Sequence, residues 1–407
     1  REFLEASLED RPDDMDLKDN LSMVYLAGHQ YDKSIAMLDE ILALHPDDGG
    51  AVSNLGFVLH MKGMIEEAFK LFKKAIKLKQ DDPQVQFNFA SALLSNGELE
   101  QGWKYYRGRK GLIVHESVIR EFPHEEWAGQ PLRGKKIFLW DEQGIGDELR
   151  FASMFPDIIN MGAEVTIECQ SRLADLFARS FPAAEIQVSP YGPAETGKRY
   201  FDYHCSALDL APLVRATIES FPKGDDSYLV PDAKRVAFWK NRIAQLPEQC
   251  NIGLVWRSGH MVQEKKYFFT NMDGLAPILA LPGVNFINLM YSECAADVAE
   301  AKNKYGVTLH TWDDINMLND LDDISALMSN LDLVISQTSA VSEMAGGLGV
   351  PCFGFYPLKK DVFMLGTGND AWHNTARFFL KDDIFAPWEP IFADMAMEIR
   401  KKFGLDA

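Results

Sequence analysis

The sequence predicts an α region followed by an α/β region: helical repeats over the first quarter, then two doubly wound parallel sheets. Three observations carry this. The N-terminal region aligns with itself at a fixed offset, the sign of stacked helical units. After Gly111 the pattern becomes short apolar runs alternating with helical stretches, the sign of parallel strands joined by helices. That alternation starts afresh at Asn251, beyond a charged, proline-flanked stretch, so the α/β region holds two units.

Composition allows this. A chain of 407 residues exceeds one ordinary core, and 47% hydrophobic with 25% charged residues is a soluble globular balance. The net charge of −19 weighs against a nucleic-acid surface, so no nucleic-acid partner is expected. Cys169, Cys205, Cys250, Cys294 and Cys352 are scattered, without CxxC or metal spacing. Reduced thiols in a cytoplasmic protein are expected rather than a disulfide framework or zinc site. No apolar run approaches the roughly 18 residues of a membrane span. The chain opens on REFLEASLED without Met and without a signal peptide, and reads as a fragment with more repeats upstream.

The repeat shows at an offset of 34 residues, as Leu21/Leu55/Phe89, Ser22/Gly56/Ala90 and Tyr25/Leu59/Leu93. His29/Gly63/Gly97, Ser34/Ala68/Gly102 and Leu38/Phe72/Tyr106 continue it. Small residues recur where helices must approach closely and large apolar ones recur between them. This is the tetratricopeptide pattern of paired antiparallel helices. Pro46 closes the first full copy and Pro12 sits one period earlier, so residues 1–12 read as the second helix of a truncated repeat. Such arrays present a concave surface to peptides or proteins; alternatively, three repeats only brace the next domain.

Residues 113–133 read as a connector. KKIFLW (135–140) is a short strand followed by helical sequence, and AEVTIEC (163–169) is a strand followed by the helical SRLADLFARSF. EIQVSP and FDYHCSA are further strands, and LDLAPLVRAT is helical. The second unit runs NIGLVW (251–256), helix 272–280, VNFINLM (284–290), helix 293–304 and VTLH. DISALMSN (helical), DLVIS (332–336), helix 339–348, PCFGFY and ARFFL complete it. The domains expected are 1–112 (repeats), 113–133 (connector), 134–232 and 233–407 (two Rossmann-like domains). Two such domains sharing a cleft are the GT-B layout, with the final helix (389–403) packing across the cleft.

Two strand-to-helix junctions carry the candidate chemistry. The first is DEQGIGDELRF, with Gly144, Gly146, Asp147 and Glu148. It is not a dinucleotide fingerprint, because Leu149 stands where the third glycine belongs, and no GK[ST] follows to make a P-loop. Asp147 is either a helix cap or a general base for an acceptor hydroxyl. The second is VISQTSAVSEMAGGLG, where Ser336, Thr338, Ser339 and Ser342 gather hydroxyls at a helix start and Glu343 follows within a turn. Helix starts favour anions, so phosphate contact is one reading and a capped β-α turn the other. Arg257, His260, Lys265 and Lys266 follow the first strand of the second unit, and Lys359 and Lys360 follow another strand. They either neutralise a leaving diphosphate or form solvated loops.

In sequence these segments follow one another in a telling order. The array is followed by GWKYYRGRK, then EEWAGQPLRGKKIFLWDEQGIGDELRFASMFP, FDYHCSALDLAPLVRATIESFP and IGLVWRSG. HTWDDINMLNDLDDISALMSNLDLVIS and AVSEMAGGLGVPCF complete it. The whole resembles bacterial tetratricopeptide proteins with a C-terminal heptosyltransferase-like (family 9-like) GT-B glycosyltransferase domain. The resemblance implies an inverting, metal-independent enzyme without cofactor, using a nucleotide-sugar donor, with Asp147 of the Gly146-Asp147 pair as base. The basic residue after the first strand of the donor domain maps onto Arg257 or Lys265/Lys266. The donor-binding pattern Asp-Thr-x-x-x-His becomes Thr338-Ser339-Ala340-Val341-Ser342-Glu343, with both Asp and His replaced. Near the C-terminus, GTGNDAWHNTARFF keeps Gly366, Trp372 and Arg377 of a family pattern usually ending in Trp-Tyr-Pro and Arg-Leu-Phe. Related chains glycosylate proteins, including flagellins, which implies a protein or peptide acceptor held by the repeats. The alternative is a non-catalytic repeat and GT-B scaffold that binds protein partners.

Overall fold

The computed structural model describes residues 1–112, 120, 122–142, 144–188, 200–224, 227–258, 267–358 and 361–405. It divides into two compact units: Arg1–Ile119 with Lys360–Thr367, and Arg120–Lys359 with Gly368–Ala407.

The first unit is a run of helix pairs. A lone α1 (Glu2–Asp10) precedes α2 (Met15–Ala27) with α3 (Tyr31–Leu44), α4 (Gly49–Lys62) with α5 (Ile65–Leu78), and α6 (Pro83–Ser95) with α7 (Leu99–Tyr106). The repeat fixes both ends of the first helix in each pair. Asp14, Asp48 and Asp82, one per copy, accept hydrogen bonds from amides of the first turn, satisfying donors the helix leaves open. At the turn, His29, Gly63 and Gly97 adopt left-handed backbone at φ 55°, 97° and 86°. The next amides, of Gln30, Met64 and Glu98, then reach back to the carbonyls of Tyr25, Leu59 and Leu93. Leu21, Tyr25, Leu38, Phe72, Ala68 and Phe89 are buried, as the repeat requires. Gly102 is needed for closeness, since a β-carbon there would stand 2.6 Å from Leu94. Residues 361–367 belong to this unit: Phe363 meets the Tyr106 ring edge-on.

The second unit holds two all-parallel sheets. The first comprises β1 (Glu125–Glu126), β2 (Lys136–Trp140), β3 (Glu164–Cys169), β4 (Glu185–Val188) and β5 (Tyr203–Ser206) in the order β1-β5-β2-β3-β4. Between them run α8 (Ile145–Ala152), α9 (Phe155–Asn160) and α10 (Ala174–Ser180). The helices α11 (Ala211–Val214) and α12 (Ala233–Ile243) lead to the second sheet. That sheet comprises β6 (Cys250–Val255), β7 (Val284–Asn288), β8 (Leu309–His310), β9 (Leu333–Gln337), β10 (Cys352–Tyr356) and β11 (Ala376–Leu380). Its order is β11-β10-β9-β6-β7-β8. Its helices are α13 (Ala276–Leu279), α14 (Ala295–Tyr305), α15 (Leu321–Met328), α16 (Ala340–Gly347) and α17 (Glu389–Phe403).

The second order is the dinucleotide-fold arrangement, and the first is the same arrangement carried as far as its fourth strand. Strand order reverses between β2 and β5 and between β6 and β9, and the crevice beyond the strand ends at such reversals is where ligands bind. Tetratricopeptide-type repeats followed by two Rossmann-like units are therefore the fold, in the GT-B layout. One detail departs from expectation. The segment read wholly as connector contributes β1, which pairs with β5 through Glu125 and Tyr203. The final helix packs on α13 and β11 of its own sheet, with Phe392 against Phe355.

Candidate active site

The loop after β2 opens α8 at the first reversal point. Gly144 is the N-cap and has no side chain to cap with, so Asp147 is the third helical residue rather than the cap. It is half-buried. The loop after β9 opens α16 at the second reversal point. Here Ser339 is the N-cap: its hydroxyl accepts from the Val341 amide at 3.2 Å, and Ser342 Oγ accepts from the Ser339 amide at 2.9 Å. The two helix starts lie against each other. A β-carbon on Gly146 would be 3.4 Å from the Ala340 amide nitrogen and 3.5 Å from its Cα.

One turn into each helix, the contact is ionic. Arg150 Nε donates to Glu343 Oε2 at 3.1 Å and Nη2 to Oε1 at 2.5 Å, a two-pronged pair with both side chains largely buried. Burial works against the charge on Arg150, and Glu343 beside it more than offsets this, holding the guanidinium above its usual range. His373 adjoins the pair, with Nδ1 3.7 Å from Glu343 Oε2 and 3.1 Å from Asp370 Oδ2. Its Nε2 lies 3.1 Å from Tyr228 Oη, whose one proton goes to the Leu149 carbonyl at 2.6 Å. A positive charge on the ring would let both nitrogens donate. Burial opposes that charge, and Asp370 outweighs it, so the His373 pKa is raised. Arg150, His373, Glu343 and Asp370 form a buried quartet between the halves.

The small residues of α16 serve this packing. A β-carbon on Gly346 would fall 2.2 Å from the His373 ring, and one on Gly347 2.6 Å from Leu229.

Several expected donor-site groups are occupied internally. Ser336 is fully buried in β9, sharing its hydroxyl with Ser339 and the Gln337 carbonyl. Ser339 and Ser342 form the cap, and Thr338 is the half-buried hydroxyl between them and the strand end. Glu343 is paired with Arg150. Arg257, read as either a diphosphate contact or part of a solvated loop, holds Asp297 of α14 at 3.0 Å and Ser292 at 3.3 Å. His260, Lys265, Lys266, Lys359 and Lys360 lie outside the described residues.

Glu148, next to Asp147, meets the end of β3. It is 5% exposed, its Oε2 accepts from the Gln170 amide at 3.0 Å, and its Oε1 has no partner. Burial, with Asp141 nearby, pushes its pKa up to about 8. Beyond the ends of β7 and β8 lies an open cavity of about 950 Å³, lined by Asn288, Met290, Cys294, Lys302 and Trp312. The start of α14 opens onto it. The sequence reading missed this cavity, as it missed Arg150, Tyr228, Asp370 and His373. Among the described residues no three His, Cys, Asp or Glu side chains gather to hold a metal, and no helix is long and apolar enough to cross a membrane.

No family model matches the chain. It is similar to Protein FlbA of Caulobacter vibrioides, 34% identical over 311 residues, 72% of this chain and 51% of that protein. The chain thus spans about half the length of that relative. Among solved structures it is similar to the ADP-heptose LPS heptosyltransferase II of E. coli, at 12% identity and TM-score 0.46, covering 66% of this chain and 99% of that one. It is also similar to an O-GlcNAc transferase of Thermobaculum terrenum, at 14% identity and TM-score 0.32, covering 96% and 90%. At these scores the fold rests on the chain's own sheet orders.

Proposed function

We propose that this chain transfers a sugar from a nucleotide-sugar donor to an acceptor hydroxyl, with inversion and without a metal. The observation that carries it is the meeting of the two helix starts, Gly146 on Ala340, each at the reversal point of its sheet. That meeting brings a carboxylate beside a helix N-terminus suited to an anion. Asp147 takes the acceptor's proton while its oxygen bonds to the anomeric carbon. The bond from that carbon to the diphosphate breaks on the opposite face, and the diphosphate leaves with the electron pair. The start of α16, with Thr338 ahead of it, stabilises the departing charge, and the cavity beyond β7 and β8 has the volume for a nucleoside. The acceptor we propose is a protein Ser or Thr hydroxyl, brought by the repeats.

The test is Asp147→Asn. Sugar transfer should fall about 10²–10⁴-fold with nucleotide affinity nearly unchanged, and full activity in the variant would remove Asp147 from the role.

A second reading, a scaffold without catalysis, is favoured by one observation: Ser336, Ser339, Ser342, Glu343 and Arg257 all spend their polar groups internally. Thermal melts with UDP, GDP, CMP and ADP compounds separate the two. Binding to the native state at a hundredfold excess over Kd adds about 2.7 kcal/mol and raises Tm, and no rise at millimolar ligand would favour the scaffold.

A further inference from the structure

Glu343 occupies the place where the family pattern has a histidine aimed at the donor, and it is paired instead with Arg150 from the opposite half. A buried pair is costly to desolvate and is weak support for stability alone. What this one does is geometric. Arg150 lies three residues after Asp147 and Glu343 three after Ala340, so the pair sits one turn below the Gly146–Ala340 contact. Two points then fix α8 on α16: a close backbone approach at the starts and a two-pronged ion pair beneath it. The second point cannot slide, because both guanidinium nitrogens meet separate carboxylate oxygens.

We propose that Arg150 is a positioning residue for the transfer: anchored by Glu343 across the crevice, it holds the Asp147 loop on the donor-side junction and supplies the positive charge beside that carboxylate. This rests on the reading of Asp147 as the base. Asp147 and Glu343 both act on the charge of Arg150, as does Asp370. The titratable groups on the elements that meet here are Arg150 and Glu148 of α8, Asp141 and Glu142 of its loop, Asp209 of the turn packed on α8, Tyr228, Glu343 of α16, and Asp370 with His373. Glu343 shares Arg150 with Asp147, so removing either member of the pair acts oppositely on Asp147. Loss of the cation removes a positive charge that acts on Asp147, and loss of Glu343 removes a competing negative one.

The experiment is the ¹³C titration of the Asp147 carboxyl in the full chain, assigned by the signal lost in Asp147→Asn. Arg150→Met should raise its midpoint by about one pH unit, Glu343→Gln should lower it, and Arg150→Lys should leave it near the parent value. A midpoint that Arg150→Met does not move, or that both variants move the same way, overturns the proposal. Where Arg150→Met does not fold, Glu343→Gln decides by itself: a lowered midpoint supports the proposal, and an unmoved or raised one overturns it. The readout needs no turnover, so a failed titration and a fully active Asp147→Asn variant are separate results.

Discussion

Gly146 packs directly on Ala340, leaving 3.4 Å between a β-carbon placed at 146 and the Ala340 amide nitrogen. That is room for a methyl group and no more. Gly146→Ala should fold as well as the parent, since an ordinary contact replaces a helix glycine that costs roughly 0.5–1 kcal/mol. Gly146→Val should cost about 1–3 kcal/mol by overpacking and spread the two helix starts. Urea denaturation of both variants checks the pair, and equal stability of Val and Ala would mean the approach is looser than described.

Gly346 faces a harder limit. Its β-carbon would lie 2.2 Å from the ring of His373, which is 1% exposed and held on both nitrogens. Gly346→Ala should therefore destabilise by about 3 kcal/mol or more. The same substitution on a His373→Ala background should cost far less, a non-additivity measurable by thermal melts of the four variants.

Glu148 makes stability depend on pH. Its folded pKa is about 8 against an ordinary value of 4.5, so the folded state binds the proton more tightly. Its contribution is fully present below about pH 4.5 and is lost as pH rises through about 8. Glu148→Gln, neutral at every pH, should remove that slope. The variant should gain on the order of 2 kcal/mol relative to the parent between pH 5 and pH 9, read by denaturation across that range. Parallel curves for the two proteins would contradict the assignment.

Gly63 tests the repeat. It stands at φ 97° with nothing within 4 Å of a β-carbon, so Gly63→Ala carries only a backbone cost, about 1–2 kcal/mol. Equal stability of variant and parent in chemical denaturation would show that the turn relaxes.

The repeats were legible because each copy restates the same positions, from Leu21/Leu55/Phe89 to the turn at His29/Gly63/Gly97. Even so, the capping aspartates Asp14, Asp48 and Asp82 escaped a reading centred on apolar residues. In the α/β region, strands buried on both faces announce themselves as apolar runs, whereas β1 is two glutamates and has no such signature. The two junctions could be found because a strand, a glycine or hydroxyl and a helix follow one another locally. The Arg150–Glu343 pair could not, since 193 residues separate its members and an isolated Arg or Glu on a helix reads as solvated surface. Likewise nothing local in the sequence says that Gly346 and Gly347 have His373 and Leu229 as neighbours.

Tyr228 lies on the connector between α11 and α12 and touches both α8 and α16. Its hydroxyl donates to Leu149 of α8, while its own amide and that of Leu229 donate to the Gly347 carbonyl of α16. The connector is therefore a strap buckled to each side, not a slack hinge. Drawing α8 away from α16 would cost either the phenol's bond or both amide bonds.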